Sequence, residues 1–311
     1  MTVEITDLRD NKALDILPER RNGPLEIVVT EPRREELRQL GEKLAIPFEE
    51  LEDALDEDER PRIEEIEGYL KIIFRVPITF EDGEVTEATT TPVFVFLSKD
   101  VIIRVLLRKM SFKKLRQSKM NEVQRTPLVA FFEFLQQIIR SFEHRLDILD
   151  HKIHEAELNI LKTIKPKSIW QVFRLSKDSI YLEASLKGNI RVFNRLKYVK
   201  TQQLFTNSLD QLEDLTIDLD QQVELIMIYR ELLENSLDAY ASVISNNQND
   251  LIKILTSISL ILMVPTLIAS FYGMNIALPF ASSQYAFWII LAISTFFTVL
   301  LYVFFKVIDW V

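Results

Sequence analysis

The sequence contains no cysteine, which excludes a disulfide framework and any metal site built from thiolates. It has only six glycines among 311 residues, and they form no phosphate-binding loop. The three histidines, His144, His151 and His154, occur on one predicted helix without a triad-like arrangement. His151 and His154 are spaced to ligate zinc, although surface histidines are the commoner outcome on a charged helix. The sequence therefore does not predict an enzyme.

Charged side chains are missing from one long stretch. No Asp, Glu, Lys or Arg occurs between Ile254 and Phe305, although 27% of the whole chain is charged. A helix needs about 20 apolar residues to cross the hydrocarbon core of a bilayer. The uncharged stretch is long enough for two spans, and the polar, proline-containing segment from Gly273 to Gln284 is the natural turn between them. We therefore predict a two-span membrane protein.

The residues that flank the two predicted spans indicate their orientation. Lys253 precedes the first span and Lys306 follows the second, whereas the connecting loop has no basic residue. By the positive-inside rule both termini are cytoplasmic, and the N-terminal segment lacks the apolar stretch of a secretory signal. We expect a multi-pass protein of the cell membrane, plasma or inner. The net charge of −9 argues against a nucleic-acid partner.

The first predicted span carries small, hydroxyl-bearing or flexible side chains at steps of three and four residues, which places them on one helix face. These residues are Thr256, Ser259, Met263, Thr266, Ser270 and Gly273. The same register continues inward to Ile252 and Asn249. Such a stripe is typical of close packing between membrane helices. It is also typical of a pore wall with apolar constrictions at Ile252 and Met263, and the periodicity alone leaves both interpretations open.

The N-terminal third of the chain is predicted to be mixed α/β. Segments rich in β-branched and aromatic residues predict strands, and Pro32 and Pro47 mark two helix starts. The predicted strand segments are Leu25–Thr30, Arg62–Glu67, Tyr69–Ile78 and Thr91–Leu107, the last of which holds two strands. The acidic run Leu51–Pro61 is either a solvated turn or a cation-binding loop, of which the turn is the commoner outcome.

The rest of the cytoplasmic part is predicted to be helical. Two amphipathic segments, Phe131–Lys162 and Ser168–Lys200, precede a third helix that begins near Thr206 and has no proline before Pro265. This third helix would run into the first span, over about 100 Å. Its apolar stripe has a near-heptad spacing: Leu212, Leu215, Leu219, Val223, Ile226, Leu233, Leu237, Tyr240 and Ile244, with Arg230 as the polar exception. We expect several copies of the chain to bury this stripe in a stalk.

At Tyr272-Gly273-Met274-Asn275 the sequence resembles the CorA family of magnesium transporters. The Gly-Met-Asn tripeptide is specific because it follows a very long helix and ends the first of two C-terminal spans. Asp56–Glu64 and Ser245–Leu255 are also similar to segments of that family. The resemblance implies an α+β cytoplasmic domain, a long helical stalk and two C-terminal transmembrane helices, assembled in the lipid bilayer as a funnel-like homopentamer.

The resemblance also implies roles for individual residues. Gly273, Met274 and Asn275 would form the ion selectivity filter, in which amide oxygens hold hydrated Mg²⁺ through its waters. The pore lining and gate would consist of Asn249, Ile252, Leu255, Thr256, Ser259, Met263, Thr266 and Ser270. Mg²⁺ is the expected ion, and Co²⁺ and Ni²⁺ are further candidates. The membrane potential would supply about 4.6 kcal/mol per 100 mV for a divalent ion.

Feedback by intracellular Mg²⁺, which bridges carboxylates of neighbouring subunits, is the regulation that the resemblance implies. Asp214 falls where one such carboxylate is expected, and Asp218 or Asp220 is a candidate to contribute in place of its partner. The basic segment Arg108–Leu115 stands where the partner carboxylate is expected, so Asp214 is either a regulatory ligand or an ordinary solvated charge. The loop Ile276–Tyr285 also lacks the acidic residue that many relatives carry after the tripeptide.

Two other hypotheses remain. A ZntB-like zinc transporter has the same fold and tripeptide, but the lack of cysteine and the few histidines count mildly against it. A non-conducting membrane scaffold would also use the stripe and the stalk, although it does not explain the uncharged tripeptide at the external end. The predicted boundaries are 1–125 for the α/β domain, 126–205 for a helical hairpin, 206–253 for the stalk, 254–273 for the first span, 274–284 for the external loop, 285–306 for the second span and 307–311 for a cytoplasmic tail.

Overall fold

The computed structural model describes residues 2–9, 12–14, 23–66, 68–78, 90–109, 125–162, 166–199, 208–276, 278–280 and 283–310, without the side chains of 159–162 and 166–168. The chain forms two compact units, Met1–Leu237 and Asp238–Val311. One long helix contributes residues to both units. Most of the predicted basic segment Arg108–Leu115 lies outside the described residues.

A seven-stranded mixed sheet forms the centre of the first unit. Its strands are β1 (Thr2–Asp7), β2 (Lys12–Leu14), β3 (Leu25–Thr30), β4 (Arg62–Ile66), β5 (Tyr69–Pro77), β6 (Thr90–Leu97) and β7 (Val101–Leu106). They lie in the order β2-β1-β3-β7-β6-β5-β4. All neighbouring pairs are antiparallel except β3 and β7, which are parallel. Strands β5, β6 and β7 are buried on both faces, which explains why their sequences are almost continuously apolar.

Two short helices cover one face of the sheet. Helix α1 (Arg34–Leu44) begins where the Arg33 backbone N–H donates to the Glu36 carboxylate at 2.8 Å, and it ends at Ala45, whose φ is 55°. Helix α2 (Phe48–Glu52) follows and continues into a 3₁₀ turn. Their apolar side chains pack into one buried cluster with side chains of β1, β3, β5, β6 and β7.

Two long helices, α3 (Pro127–Lys162) and α4 (Pro166–Leu196), cover the other face. The Phe74 ring of β5 lies 6.4 and 6.3 Å from the rings of Phe131 and Phe134 on α3, and 5.8 Å from that of Phe193 on α4. The Asn189 side chain of α4 accepts a hydrogen bond from the backbone N–H of Arg75 and donates one to its carbonyl. These contacts fix the helices on the sheet and make the unit a three-layer α/β/α structure.

Helix α5 (Leu209–Tyr272) is 64 residues long, and α6 (Ala286–Val307) is 22 residues long. The predicted apolar stripe is buried within the single chain at Leu212, Leu215, Leu219, Val223, Ile226 and Leu233. Polar contacts accompany this burial: Gln222 donates to the Ile139 carbonyl at 3.1 Å, and Arg230 pairs with Glu183 at 2.8 Å. The expectation that several copies are needed to bury this stripe is therefore wrong, because the first unit covers it.

A second apolar face of α5 is left exposed by the described residues of the chain. Ile217, Ile228 and Leu232 are exposed by 51, 54 and 41%. At 100° per residue they lie on the side of the helix opposite the buried stripe. This face, and not the predicted one, is the surface that a further copy of the chain can cover.

The C-terminal unit contains both segments that are long and apolar enough to cross a membrane, one in α5 and one in α6. The chain is thus an N-terminal α/β domain followed by a long helix and a C-terminal apolar helix, and the predicted α+β fold class is confirmed.

Candidate ion pathway

Within the second unit, one face of α5 is covered by the rest of the chain. The covered or half-covered positions are Lys253, Ser257, Ile261, Val264, Pro265, Ile268 and Tyr272. Ser257 is fully buried, and its hydroxyl donates to the Lys253 carbonyl at 2.7 Å. Apart from the adjacent pair Val264 and Pro265, the steps between these positions are three or four residues, so they define a single packing face.

The predicted stripe lies on the other side of the helix. Met263 is six residues from Ser257 and Thr266 is nine, which places them about 240° and 180° around the axis. Every predicted pathway residue is exposed in the single chain: Asn249, Ile252, Leu255, Thr256, Ser259, Met263, Thr266, Ser270, Gly273, Met274 and Asn275. The stripe is therefore not packed against the described residues of its own chain. A pore wall and close packing against a further copy both stay open as interpretations.

The hydroxyl groups of the stripe are oriented by their own helix. Ser259 donates to the Leu255 carbonyl at 2.8 Å, and Thr266 donates to the Leu262 carbonyl at 2.9 Å. Because each hydroxyl hydrogen is used within the helix, the oxygen lone pairs are left to accept hydrogen bonds from outside. Such oxygens can accept hydrogen bonds from the waters around a cation, because those waters direct their oxygen atoms to the ion and their hydrogen atoms outward.

The Gly-Met-Asn turn stands at the C-terminal end of α5. The Gly273 N–H donates to the Ala269 carbonyl at 3.0 Å, and the Met274 N–H donates to the Phe271 carbonyl at 3.1 Å. The Tyr272 hydroxyl donates to the Pro279 carbonyl at 3.0 Å and ties the loop to the helix end. The C-terminus of a helix carries a partial negative charge. The backbone therefore adds cation attraction to a loop that has no acidic side chain.

Nothing inside the single chain requires glycine at position 273. A Cβ atom there would meet the Ala269 and Ser270 carbonyl oxygens at 3.4 and 3.5 Å, which is ordinary contact, and the backbone φ is not in the left-handed region. Glycine is usually needed for a positive φ or for close approach of another group. Among the described residues, neither requirement applies to Gly273.

At the acidic run Leu51–Pro61, where a cation-binding loop was one of two interpretations, the carboxylates are paired with cationic side chains of the protein itself. Carboxylate oxygens of Glu50, Asp53 and Glu64 lie within 4.8 Å of one another, as metal ligands would. The Nζ of Lys71, whose side chain is 1% exposed, lies 2.7, 2.7 and 3.4 Å from them. Burial alone would lower the pKa of Lys71, but hydrogen bonds and charges of Asp53 and Glu50 outweigh it and raise the pKa. The ammonium is therefore charged at neutral pH and takes the position of an ion.

Several other carboxylates of the acidic run or next to it pair with arginines. Arg62 contacts Asp53, Glu59 and Glu64, and Arg108 pairs with Glu57 at 3.0 Å. The run is thus a structural turn joined to the sheet. Periodicity could not reveal this, because Lys71 lies in an apolar strand and is 18 residues from Asp53 in sequence.

Lys71→Met is expected to lower the free energy of unfolding by about 2 kcal/mol. Removing one partner of a buried ion pair costs about 3–5 kcal/mol, and the cost is smaller here because the carboxylates are about one-third exposed. Millimolar Mg²⁺ should restore part of the loss in Lys71→Met alone. Chemical denaturation with and without Mg²⁺ measures both effects, with exposed Lys43→Met as control. An unchanged stability would contradict the role of Lys71.

The other predicted metal ligands form no metal-binding cluster among the described residues. Asp214, Asp218 and Asp220 are exposed on α5 and make no side-chain ion pair within the described residues. Asp214 and Asp218 are one turn apart on the face that holds Ile217 and Ile228. The histidines His144, His151 and His154 are exposed on α3, outside the one acidic group found in the described part of the chain.

Residues 27–306 match the family described as CorA-like Mg²⁺ transporter protein. The cobalt/magnesium transport protein CorA of Methanocaldococcus jannaschii is 28% identical over 288 residues, which cover 90% of this chain and 89% of the relative. The complete structure of the CorA magnesium transporter from that organism superposes with a TM-score of 0.83 at 26% identity, over 100% of this chain and 99% of its own.

The cytoplasmic domain of ZntB from Vibrio parahaemolyticus is similar in fold alone, with a TM-score of 0.63 and 12% identity over 79% of this chain and 97% of that domain. Because the family match covers most of the chain, two predictions are confirmed: the protein is a membrane transporter of divalent cations, and it is not an enzyme. The chain belongs to the CorA-like Mg²⁺ transporter family.

Proposed function

We propose that the protein carries Mg²⁺ into the cell through a path lined by α5. The observation that carries this proposal is the uncovered stripe that begins at Asn249, runs along the first span and ends at Asn275. The relatives named as cobalt/magnesium transporters support Mg²⁺ and Co²⁺ as ions, with Ni²⁺ as a further candidate. Mg²⁺ gives up its waters reluctantly, so a path of neutral oxygens fits passage of the hydrated ion.

The stripe alternates between polar and apolar levels. Hydroxyl oxygens of Ser259 and Thr266 accept hydrogen bonds from water, whereas Ile252, Leu255 and Met263 present only apolar surface. An apolar ring closes a narrow pore by dewetting, without a plug. The apolar levels are accordingly the gate, and Gly273, Met274 and Asn275 are the filter.

One helix cannot enclose a path, so the proposal includes assembly into a homo-oligomer. The resemblance to the CorA family implies that this oligomer is a pentamer. The uncovered apolar face of α5 at Ile217, Ile228 and Leu232 supports this, because a long exposed apolar stripe is unfavourable in water. Glycine at position 273 would also permit close approach of a neighbouring copy in the assembly. With both termini cytoplasmic in the cell membrane, the inward-negative potential drives the ion inward.

Asp214 is proposed as a regulatory ligand, because it lies on the face of α5 that faces a further copy and is unpaired within the described residues. Asp214→Ala is expected to raise the internal Mg²⁺ concentration that halves influx by about tenfold. Loss of one carboxylate ligand accounts for such a shift, since charge-assisted contacts are worth about 1.5–3 kcal/mol. Asp220→Ala, about 240° around the helix, should leave inhibition unchanged. Equal inhibition of the unaltered protein, Asp214→Ala and Asp220→Ala would place the feedback site elsewhere.

The direct test is influx into liposomes that hold the purified protein and an Mg²⁺-sensitive dye, under an inside-negative potential. Potential-driven Mg²⁺ entry supports the proposal. Entry of Zn²⁺ with no entry of Mg²⁺ would favour a ZntB-like transporter. No entry of Mg²⁺, Co²⁺, Ni²⁺ or Zn²⁺ through verified oligomers would overturn transport and favour the scaffold.

A further inference from the structure

The two tryptophans of the C-terminal segment lie at opposite ends of helix α6, Trp288 in its first turn and Trp310 just beyond its last. Tyr285 and Trp288 lie at its beginning and are exposed by 67 and 66%, and Trp310 follows its last turn. The middle of the helix presents exposed phenylalanines instead, at Phe296 and Phe297. Tryptophan and tyrosine are favoured at the two membrane–water interfaces, because one part of each ring system is apolar and the other is polar.

The C-terminal tail folds back onto α6. Asp309 adopts a left-handed conformation with φ of 54°, and the Trp310 N–H donates to the Phe305 carbonyl at 2.9 Å. The Trp310 ring then stacks on the Phe305 ring, with the centroids 5.7 Å apart and the planes 15° apart. Phe305 is left only 4% exposed. The tail is thus held beside the last helical turn, with the indole at the level of Phe305.

The separation of the two indoles matches a bilayer. From Trp288 to Phe305 the helix rises about 25 Å at 1.5 Å per residue, and the hydrocarbon core is about 30 Å thick. When Trp288 lies at one interface, the Trp310–Phe305 stack therefore lies at the other. Lys306, exposed on the same turn, can extend to lipid phosphates, as interfacial lysines do.

We propose that α6 is fixed in the bilayer by two lipid-binding anchors: Tyr285 with Trp288 in one headgroup layer, and the Trp310–Phe305 stack with Lys306 in the other. The partner is the glycerol and headgroup region of phospholipids. A length that matches the bilayer, aromatic residues exposed at the outer end and a cation at the inner end favour lipid over a second protein chain. The proposal requires α6 to span the bilayer and does not depend on which ion is carried.

Depth-dependent fluorescence quenching tests the anchors. The chain has three tryptophans, so Trp170→Phe combined with Trp310→Phe leaves Trp288, and Trp170→Phe combined with Trp288→Phe leaves Trp310. Each protein is reconstituted with phospholipids brominated near the carbonyl groups or near the chain ends. Shallow bromines should quench both tryptophans at least twofold more than deep bromines. As a control, Phe297→Trp with all three tryptophans replaced by Phe should give the reverse order.

Three outcomes would overturn an anchor. Stronger quenching by deep bromines would place that indole in the hydrocarbon core. Quenching by aqueous acrylamide but by neither bromolipid would place it in water. Protection from all three quenchers would place it against protein. Mg²⁺ influx into the same vesicles reports separately on the proposed function, so failure of one does not imply failure of the other.

The fold-back has its own test. Phe305→Leu keeps an apolar side chain but removes the ring on which Trp310 stacks. In the protein with Trp310 alone, this change should reduce quenching by shallow bromines at least twofold and shift the emission to longer wavelength. In the protein with Trp288 alone, it should change neither. Unchanged quenching of Trp310 would show that the stack does not hold the anchor.

Discussion

Asn275→Ala is expected to reduce Mg²⁺ influx by at least about 100-fold while the oligomer stays assembled. The amide of Asn275 is exposed at the end of α5, in a loop without acidic residues. In the proposed path its oxygen accepts hydrogen bonds from the waters of the incoming ion. Alanine leaves those waters without an acceptor in the filter, and each lost hydrogen bond to a charged group is worth about 1.5–3 kcal/mol. Loss at several equivalent positions of an oligomer multiplies the effect.

The size of the complex by chromatography and the rate of dye-reported influx together check this result. Gln284→Ala is the matched control, because Gln284 is an exposed amide residue of the same loop outside the tripeptide, and it should retain near-normal influx. Normal influx through Asn275→Ala would count against the filter assignment. Loss of assembly would instead give the residue a structural role.

The spans and most strands could be predicted because burial leaves a direct trace in sequence. A strand buried on both faces, such as Tyr69–Pro77, is nearly continuously apolar, and a membrane span lacks charge over its length. Strand β1 (Thr2–Asp7) was missed because it alternates apolar and polar residues over only six positions. A short strand with so few apolar residues resembles a polar terminus.

The sequence correctly predicts that the apolar residues of α5 share one face of the helix. The prediction that further copies bury this face is wrong. Periodicity identifies which residues share a face, but it does not identify what covers that face. Leu219 and Ile226 are covered by the chain's own first unit, whereas Ile217 and Ile228, with a less regular spacing, are the ones left exposed. Tertiary contacts over more than 80 residues, such as that from Gln222 to Ile139, decide between the two faces.

For the acidic run, too, the sequence shows which residues carry charge but not which groups pair with them. Counting carboxylates suggests a cation site, and the three oxygens within 4.8 Å do have that arrangement. The cation is the ammonium of Lys71, which a strand pairing brings opposite Glu64. In the candidate path, by contrast, the residues were predicted from their spacing in the sequence. The structure shows in addition that the opposite face of α5, around Ser257, is the buried one.

Met263→Asp is expected to convert the closed channel into a leaky one, with Mg²⁺ influx at inhibitory internal Mg²⁺ raised at least tenfold. Met263 is 58% exposed on the stripe, between the levels of Ser259 and Thr266, and we propose that it forms an apolar constriction. A dry constriction excludes a hydrated ion because the ion would lose its water. A carboxylate holds water in the narrow segment and attracts the cation, so the same helix positions would no longer close the path.

Met263→Leu is the control, because it keeps an apolar side chain of similar volume and should preserve closure. Influx under inhibitory Mg²⁺ separates the two variants, provided that both assemble. An unchanged closed state in Met263→Asp would mean that residue 263 faces lipid or a neighbouring helix. The path would then have to follow another exposed face of α5, because Ser257 marks the face that is buried within the chain.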